Sequence, residues 1–366
     1  MTMTVDMVRD DEMISLDEAL RSQADTCRAL GSPLSYDVLA AIADGSGPDG
    51  PLHRLLGDFQ TVAAGDLVGL RLLAAVHRLV LARRAPQVAA FYPTTGGHAP
   101  STPEETALLG KAVTQLLLEH PDATLAMLAR IPQTNETGRA LPLRGALARV
   151  SSAYSMPVRL HELAASAGLN LRADAMPWAH APIGGPVRIA ERSGCDLRPL
   201  DPTNVEDRLT LASYVWGDDV TRLERLRTSF TLAQQIPATI RPMSAGTYLG
   251  ELLHQDQVPG QVLVIWHSAT WSYLNRQARA EIRTAMRKLA SRASAGSPLV
   301  HVSWEWQREA PDPTRSFALV GRAWPAAGAW APWRPGTAVQ LGSGPAHGMP
   351  MRWTEPKPLS SDPLEP

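Results

Sequence analysis

The chain has 366 residues, 44% of them hydrophobic, and its 35 basic and 36 acidic residues give a formal charge of −1. At roughly 150 residues per domain, this length predicts two domains or one large domain with an appendage, and the hydrophobic fraction excludes a largely disordered chain. The near-zero charge argues against non-specific nucleic-acid binding, and 2 cysteines cannot build a disulfide framework or an all-cysteine zinc site.

The N-terminal part of the chain, residues 1–155, has the spacing of apolar residues that is typical of helices. The sequence Thr102-Pro103-Glu104-Glu105 forms a capping box with proline at the first helical position. Helices are therefore predicted over residues 15–30, 66–82, 102–120 and 136–154. No tryptophan occurs there, whereas all 10 tryptophans lie from Trp178 onward, so the two parts are expected to be built differently.

The remainder alternates short strand-like runs with helical segments. Strands are predicted at residues 157–163, 187–190, 262–266, 299–304, 317–320 and 338–341, with a helix over 273–291. This alternation predicts a mostly parallel sheet covered by helices. We therefore expect a helical region over residues 1–155, an α/β domain over 156–355 and a disordered, proline-rich tail over 356–366.

Targeting and membrane signals are not evident in the sequence. The first residues, MTMTVDMVRDDEM, are acidic and lack the basic and then apolar layout of a secretory signal. The most apolar long stretch, residues 67–81, carries Arg71, His77 and Arg78, which favours a buried helix over a membrane span. The sequence predicts a cytoplasmic protein that binds neither membranes nor nucleic acid.

The most informative segment follows the strand that ends at Glu162. Small residues lead from there to Gly168, and a helix is predicted to begin near Leu169. Small residues let a backbone approach a ligand closely, and a helix N-terminus offers unpaired N–H groups. This layout is typical of nucleotide-binding turns at the carboxyl edge of a parallel sheet, although a tightly packed turn without a ligand is the alternative.

Two other kinds of chemistry use similar residues. His161-Glu162 begins like the helix of a zinc protease, but position 165 is alanine rather than the second histidine. Ala164 to Gly168 also resembles a nucleophile elbow centred on Ser166, for which His347 would be the late histidine. An elbow normally follows several strands, whereas the preceding residues are predicted to be helical.

Several longer strings occur together in a fixed order. They are QTNETGRA at 133–140, ELAASAGLNL at 162–171, Asp174, ERSGCDLRPLD at 191–201 and AHG at 346–348. Over roughly residues 20–355 the chain resembles an uncharacterised bacterial domain-of-unknown-function family with a class I S-adenosylmethionine-dependent methyltransferase-like core. The resemblance implies a Rossmann-like, mostly parallel α/β sheet behind a helical N-terminal region, without implying an established reaction.

The resemblance also implies a cofactor site. Its acidic-x-G-x-G-x-G turn corresponds to Glu162, Ala164, Ser166 and Gly168, followed by Asn170, which together would bind S-adenosylmethionine. Alanine stands at position 164 where the family usually has glycine. An acidic residue after the next strand would hold the ribose hydroxyls. Asp196 is the predicted residue, and Glu191 and Asp201 are the alternatives. No cluster of residues at metal-ligand spacing occurs, so no metal is predicted.

Polar residues before the helix at 136–154 are candidate substrate ligands. Gln133, Asn135 and Arg139 form a polar run between apolar helices, and Arg139 is suited to bind a carboxylate. Asn135 also suits a helix N-cap, which would be a purely structural role. Tyr92 lies in a loop between helices that is expected to cover a pocket or to form a simple turn.

The ends of two later strands carry the candidate catalytic residues. His267 follows one predicted strand, where it could act as a base toward an amine or hydroxyl group, and Glu305 follows the next. Trp304 would line the substrate pocket, although packing in the core explains most such tryptophans. A histidine that bonds loop carbonyls is the structural alternative for His267.

The leading functional hypothesis is S-adenosylmethionine-dependent methyl transfer to a small, amino-acid-like metabolite. Cyclisation or elimination on a repurposed methyltransferase fold, without methyl transfer, is the first alternative, motivated by Ala164. A subunit of a heteromeric enzyme complex, or a hydrolase that uses Ser166, are the others. The expected partners are a small-molecule substrate and, as a class left open, a second copy of the chain or a partner protein.

Overall fold

The computed structural model describes residues 13–182, 185–307 and 316–359. The chain forms two compact units, the first made of residues up to Thr134 together with Asn204–Glu224, and the second made of Asn135–Thr203 and the residues from Arg225 onward. The division therefore falls about one helix earlier than residue 155. Every tryptophan except Trp216 belongs to the second unit.

Eleven α-helices and ten strands are formed by the described residues. The helices are α1 (Leu16–Ala29), α2 (Pro33–Ser46), α3 (Val68–Leu81), α4 (Pro86–Ala89), α5 (Pro103–Glu119), α6 (Pro121–Leu128), α7 (Ala140–Tyr154), α8 (Val205–Ser213), α9 (Val220–Gln235), α10 (Ala245–His254) and α11 (Arg276–Arg292). The strands are β1 (Met13–Ser15), β2 (Thr61–Ala63), β3 (Val158–Leu163), β4 (Ile189–Asp196), β5 (Thr239–Pro242), β6 (Val262–Ser268), β7 (Leu299–Trp306), β8 (Phe317–Trp324), β9 (Val339–Gly344) and β10 (Arg352–Pro358).

The first unit is built almost wholly of helices, and its helix ends follow the sequence signals. The side chain of Ser15 accepts a hydrogen bond from the Glu18 N–H, and Thr102 accepts one from the Glu105 N–H, so α1 and α5 begin where they are predicted to begin. Glu105 accepts from the Ser101 N–H in return. Across the part of the chain that the structure describes, no helix combines the length and apolarity needed to cross a membrane.

The core of the first unit is formed by aliphatic residues of α1, α2, α3 and α5. One polar group interrupts this core. His77 of α3 is buried, with Nδ1 2.7 Å from the Val215 carbonyl oxygen and Nε2 2.9 Å from the Thr94 hydroxyl. Tyr92 packs beside it with ring centroids 5.4 Å apart. These contacts satisfy the histidine and give it a structural role.

The second unit is an α/β domain built on an eight-stranded sheet. The strand order is β10-β9-β8-β7-β6-β3-β4-β5. The five strands from β5 to β7 are parallel to one another, and β8, β9 and β10 are antiparallel additions beyond β7. The predicted mostly parallel α/β sheet is therefore confirmed.

β3, the first strand of the eight-stranded sheet in chain order, lies inside that sheet rather than at its edge. From β3 the chain adds β4 and β5 on one side and then crosses to add β6 and β7 on the other. Connections that leave in opposite directions open a crevice at the carboxyl ends of the two central strands. In this sheet the change of direction falls between β3 and β6, so a crevice is expected at their carboxyl ends.

The two faces of the sheet are covered by different helices. Helices α10 and α11 pack on one face, where their apolar residues form a core with Leu163 and Ile265. Helix α7 contacts β6, β7 and β8 on the other face. Successive side chains of a strand point to opposite faces, so Glu162 and Trp266 point away from α10 and α11.

The connection from β3 to β4 differs from the prediction. In place of an α-helix beginning near Leu169, the structure has a single 3-10 turn, Leu169–Arg172, followed by irregular chain. Side chains stabilise this connection. Arg192 of β4 forms two hydrogen bonds of 2.7 Å with the Asp174 carboxylate, and Arg172 donates to the Gly168 carbonyl at 2.7 Å.

The end of the chain also differs from the prediction. Residues 356–358, expected to belong to a disordered tail, are the last residues of β10, which pairs with β9. Backbone pairing explains this, because a proline at an edge strand leaves the ladder of the neighbouring strand intact. Residues 360–366 of the predicted tail lie outside the described residues.

The paired charges of Asp174 and Arg192 give a test of this connection. Asp174→Ala removes the acceptor of both short hydrogen bonds and leaves a largely buried guanidinium without it. We expect the free energy of unfolding to fall by about 2 kcal/mol. Tryptophan fluorescence during urea unfolding reports on the second unit. As a matched control, Glu251→Ala breaks a half-exposed ion pair with Arg241 and should cost less than about 1 kcal/mol. Equal losses in both variants would contradict the assigned role.

Candidate functional site

The turn after β3 has an unusual backbone. Ala164 and Ser166 adopt φ angles of 52° and 53°, and Gly168 adopts 64°. Left-handed conformations suit glycine and cost other residues about 1–2 kcal/mol each. The three positions are those at which the resemblance predicts glycines, and strain of this kind concentrates at functional sites.

The N–H groups of this turn are largely used within the protein. The Ser166 N–H donates to the Asp196 carboxylate at 2.8 Å, and the Ala165 N–H donates to the Cys195 carbonyl at 2.9 Å. The Leu169 N–H donates to the Asn135 side chain at 3.0 Å. The free N–H groups of a helix N-terminus, expected from the sequence, are therefore not offered here, and a phosphate group would find few donors.

Access to the turn is confined to one residue. Ala164 is exposed, whereas all residues from Ala165 to Arg172 are buried. The methyl group of Ala164 therefore has open space around it, and its backbone faces the carboxyl edge of the sheet. Gly168 is different, because a Cβ atom there would lie 2.5 Å from the Ile240 side chain. Packing against β5 accounts for Gly168 without a ligand.

Glu162, the next-to-last residue of β3, is a buried carboxyl group. Only 3% of the residue is exposed, and Oε1 accepts a hydrogen bond from the Trp266 indole N–H at 3.1 Å. Its second oxygen, Oε2, has no hydrogen-bond partner among the residues that the structure describes. Burial raises the pKa of this carboxyl to about 8, partly offset by the Trp266 hydrogen bond and by the charges of Arg172 and Arg139.

Two further polar atoms near the turn are buried and find no hydrogen-bond partner within the described part of the chain. They are the Ser166 hydroxyl oxygen and Oδ1 of Asn170. The Asn170 side-chain amide donates from its other atom to the Glu136 carbonyl at 3.2 Å. Buried polar atoms are nearly always hydrogen-bonded in folded proteins, so three unpartnered ones within nine residues require an explanation. A polar ligand is one such explanation.

Asp196 is the acidic residue that contacts this turn. It ends β4, and besides the Ser166 N–H it accepts from the Arg198 N–H at 2.9 Å. Glu191 instead pairs with Arg159 at 2.6 Å and with His161 at 3.4 Å, which lower its pKa to about 2, the hydrogen bond from His161 being the largest cause. Asp201 accepts from the Thr203 N–H. The structure thus brings Asp196, of the three predicted alternatives, to the turn.

The polar run before α7 is divided between the two units. Gln133 falls in the first unit, and Asn135 and Arg139 fall in the second. Asn135 holds the Leu169 N–H, and Arg139 donates to the carbonyls of Ala346 at 3.0 Å and Ser268 at 3.4 Å. Both side chains therefore join backbone segments at the carboxyl edge of the sheet.

The late AHG string lies against the same polar run. A Cβ atom on Gly138 would lie 2.3 Å from the His347 carbonyl oxygen, so only glycine permits this approach. With Arg139 bonded to Ala346, the three strings QTNETGR, SAGLN and AHG meet at one edge of the sheet. The three strings, which are far apart in the sequence, therefore lie together in the fold.

His267 and Glu305 are brought together, but not with Glu162. His267 Nδ1 lies 2.6 Å from Glu305 Oε1, and the imidazole stacks on Trp271 with centroids 5.8 Å apart. Trp271 belongs to the core under α10 and α11, whereas Glu162 and Trp266 point to the opposite face. The predicted catalytic pair and the predicted cofactor residues thus form two separate clusters.

The cluster on the α11 face is a chain of four buried side chains. Arg322 donates to Nδ1 of His301 at 3.4 Å, so the second nitrogen of His301 carries the proton and donates to His267 Nε2 at 3.0 Å. His267 then donates from Nδ1 to Glu305. Burial is the largest cause that holds the pKa of His301 well below its usual value, and the Arg322 guanidinium adds to it, which keeps this histidine neutral.

Three other predicted residues have packing or isolated positions. Tyr92 lies in the core of the first unit, where a Cβ atom on Gly217 would lie 2.4 Å from its ring. Trp304 is fully buried against Phe317, with centroids 6.0 Å apart. The Ser166 hydroxyl makes no hydrogen bond, so the adjacent base that a serine nucleophile needs does not contact it.

Sequence reasoning missed four residues that shape these clusters. Trp266 and Arg172 surround Glu162, and His301 and Arg322 complete the chain on the other face. A usable signal existed only for the last two. His301 interrupts an otherwise apolar strand, as Arg322 does in the next, and polar residues in buried strands need partners.

The pKa of Glu162 makes stability depend on pH. The folded protein keeps the proton up to about pH 8, whereas the unfolded chain loses it near the ordinary value of 4.5, so raising the pH between these values favours unfolding. The native protein should lose at most about 5 kcal/mol of unfolding free energy between these pH values, and Glu162→Gln should abolish that loss. At about pH 8 the variant should therefore be more stable than the native protein. Urea titrations at several pH values measure this.

The control for this experiment is Glu251→Gln, which removes a half-exposed carboxylate from the same unit. It should leave the pH dependence of the native protein unchanged. A Glu162→Gln variant whose stability falls with pH as steeply as that of the native protein would contradict the assignment.

No group of three or more His, Cys, Asp and Glu side chains within the described ranges is arranged to hold a metal ion.

Comparison with known proteins gives a family and no relative of established activity. No curated protein and no solved structure matches the chain. A family profile matches residues 17–181 and 175–353, which is nearly the whole chain. The chain therefore belongs to the family described as uncharacterized protein conserved in bacteria (DUF2332).

Proposed function

We propose that the second unit is a methyltransferase-type α/β domain that binds S-adenosylmethionine at the carboxyl ends of β3 and β6 and transfers its methyl group to a small metabolite. The observation that carries this proposal is the Glu162 carboxyl, buried at the central strand with Oε2 unpartnered beneath a turn of left-handed residues. Such a group is suited to a ligand that brings its own positive charge.

The order of the strands supports a nucleotide-type cofactor site. Numbered along the sheet domain, the five parallel strands follow the order third, second, first, fourth, fifth. This is the arrangement of doubly wound folds, which bind ligands at the crevice where the chain changes direction. Glu162 is the next-to-last residue of the first of these strands, and Asp196 ends the second.

The chemistry of the turn favours this cofactor over a dinucleotide. Most N–H groups of the turn already donate within the protein, which leaves little to bind a pyrophosphate. S-adenosylmethionine has no phosphate and carries an ammonium and a sulfonium charge. Glu162 Oε2 would accept from the ammonium group, and Asp196 would accept from ribose hydroxyls. The exposed Ala164 backbone leaves room for close approach.

The cofactor supplies an electrophilic methyl group, and the protein supplies charge and position. Glu162 compensates the positive charge of the ligand from a site shielded from water, and the Trp266 indole fixes the carboxyl orientation. Displacement reactions of this kind depend chiefly on alignment of the two reactants. His267 and Glu305 point to the other face, so we assign them no part in activating the acceptor.

A second candidate function has its own supporting observation. A carboxyl group with a pKa of about 8 is suited to give and take protons near neutral pH. Glu162 could therefore act as the acid or base of a cyclisation or elimination on an amino-acid-like metabolite, without methyl transfer. Incubation of a metabolite extract with methyl-labelled cofactor separates the two functions, since only methyl transfer moves the label into the metabolite fraction.

Calorimetry with S-adenosylmethionine tests the cofactor directly. We expect Glu162→Gln to bind the cofactor about 10- to 100-fold more weakly than the native protein, because a hydrogen bond between charged groups is lost. At pH 7 native binding should release close to one proton, since Glu162 is protonated before the cationic ligand arrives. Buffers of different ionisation enthalpy measure that release.

Two variants complete this experiment. Ala164→Gly should keep the affinity for S-adenosylmethionine. Position 164 is exposed and has a left-handed backbone conformation, which glycine adopts without strain. Glu251→Gln should also leave the affinity unchanged. Absence of binding by both the native protein and Ala164→Gly would exclude S-adenosylmethionine as the cofactor.

A further inference from the structure

A cavity lies on the α11 face of the sheet, away from the face to which Glu162 points. It has a volume of about 390 Å³, within the size range of small-molecule sites. Its walls come from α11, from Trp271 and from the neighbouring strands β7 and β8, which contribute His301, Arg322 and Trp324. Nothing in the proposed methyl transfer uses this cavity.

The charge of the lining has one sign. Arg283, Arg287 and Arg322 line the cavity, and no Asp or Glu is among the described residues that do so. The low pKa of His301 keeps that group neutral, so the positive character comes from the arginines. Guanidinium groups bind carboxylate and phosphate oxygens through paired hydrogen bonds. The cavity therefore favours an anion.

The other walls are apolar and aromatic. Trp271 lies at one side with the Arg283 guanidinium 5.3 Å from its ring centroid, and Trp324 lies at another. Ile282 and Met286 of α11 complete the apolar surface. Indole rings stack on planar groups, so a ligand with a flat, apolar body would contact these walls while its charged end meets the arginines.

A chain of hydrogen bonds fixes the position of Arg322. This arginine is 6% exposed and donates to His301, which is bonded through His267 to Glu305. Glu305 is itself fixed by the N–H groups of Thr270 and Trp271 at 3.0 to 3.2 Å. A buried arginine anchored by a continuous chain of hydrogen bonds presents a fixed cation to the cavity, as a preorganised binding site requires.

We infer that this cavity binds a small organic anion with a planar apolar body, its oxyanion on Arg322 and the α11 arginines and its ring against Trp271 and Trp324. Carboxylates and phosphates share this chemistry. The residues His267 and Glu305 act as positioning residues for His301 and Arg322. The site lies on a different face from Glu162, so its ligand and the proposed cofactor would contact different residues.

The test uses indole-3-acetate and its uncharged match, indole-3-acetamide, titrated by calorimetry into the full chain. We expect the carboxylate to bind at least about tenfold more tightly than the amide, because only the carboxylate forms charge-assisted bonds. Phenyl phosphate in place of the carboxylate distinguishes the two kinds of oxyanion. Stronger binding of the phosphate would assign a phosphorylated ligand, and stronger binding of the acetate would assign a carboxylate.

Variants of the lining locate the binding. Arg322→Gln should weaken the carboxylate at least about tenfold, and Arg287→Gln, on the exposed surface of α11, should weaken it several-fold without disturbing the core. Lys288→Gln removes a charge from the adjacent exposed position outside the lining and should change nothing. Equal binding of acid and amide, or equal losses in Arg287→Gln and Lys288→Gln, would overturn the inference. So would the absence of carboxylate and phosphate binding at roughly 5 mM.

Discussion

The buried carboxyl of Glu162 is the constraint on which the carboxyl edge of the sheet depends. A charge at this depth is unfavourable without a partner, and the protein offers one hydrogen bond, from Trp266, and two distant arginines. The turn above it stores further free energy in the left-handed Ala164 and Ser166. The buried carboxyl and the strained turn both lie at the carboxyl ends of the central strands. A cationic ligand there would stabilise the ionised carboxyl, and the turn would let it approach the backbone closely.

The strings QTNETGR, SAGLN and AHG all contribute contacts at this edge of the sheet. Asn135 bonds the N–H of Leu169, Arg139 bonds the carbonyl of Ala346, and Gly138 permits contact with His347. These contacts replace the stabilisation that a helix after β3 would give, since only a 3-10 turn is present there. The three strings therefore contribute packing contacts, and in our proposal they also present the ligand-binding atoms.

Much of the architecture follows from local patterns, and the parts that do not have identifiable reasons. Capping signals at Ser15 and Thr102 locate helix starts, and valine-rich runs locate the parallel strands. The faces of His267 and Glu305 are not predictable from the strand pattern, because a slip of one residue in the pairing register moves every side chain of a strand to the opposite face. The role of Arg139 depends on a carbonyl 207 residues away, which no local pattern reveals.

The two faces of the sheet thus differ in charge, with a buried carboxyl at Glu162 on one and arginines around Trp271 on the other, and we propose a ligand site on each. The central claim concerns the first, and a crystal structure of the chain with S-adenosylhomocysteine tests it most directly. The account predicts ligand density at the carboxyl ends of β3 and β6, with the ammonium group within hydrogen-bond distance of Glu162 Oε2. Density at another place, or an empty edge at saturating ligand, would contradict it.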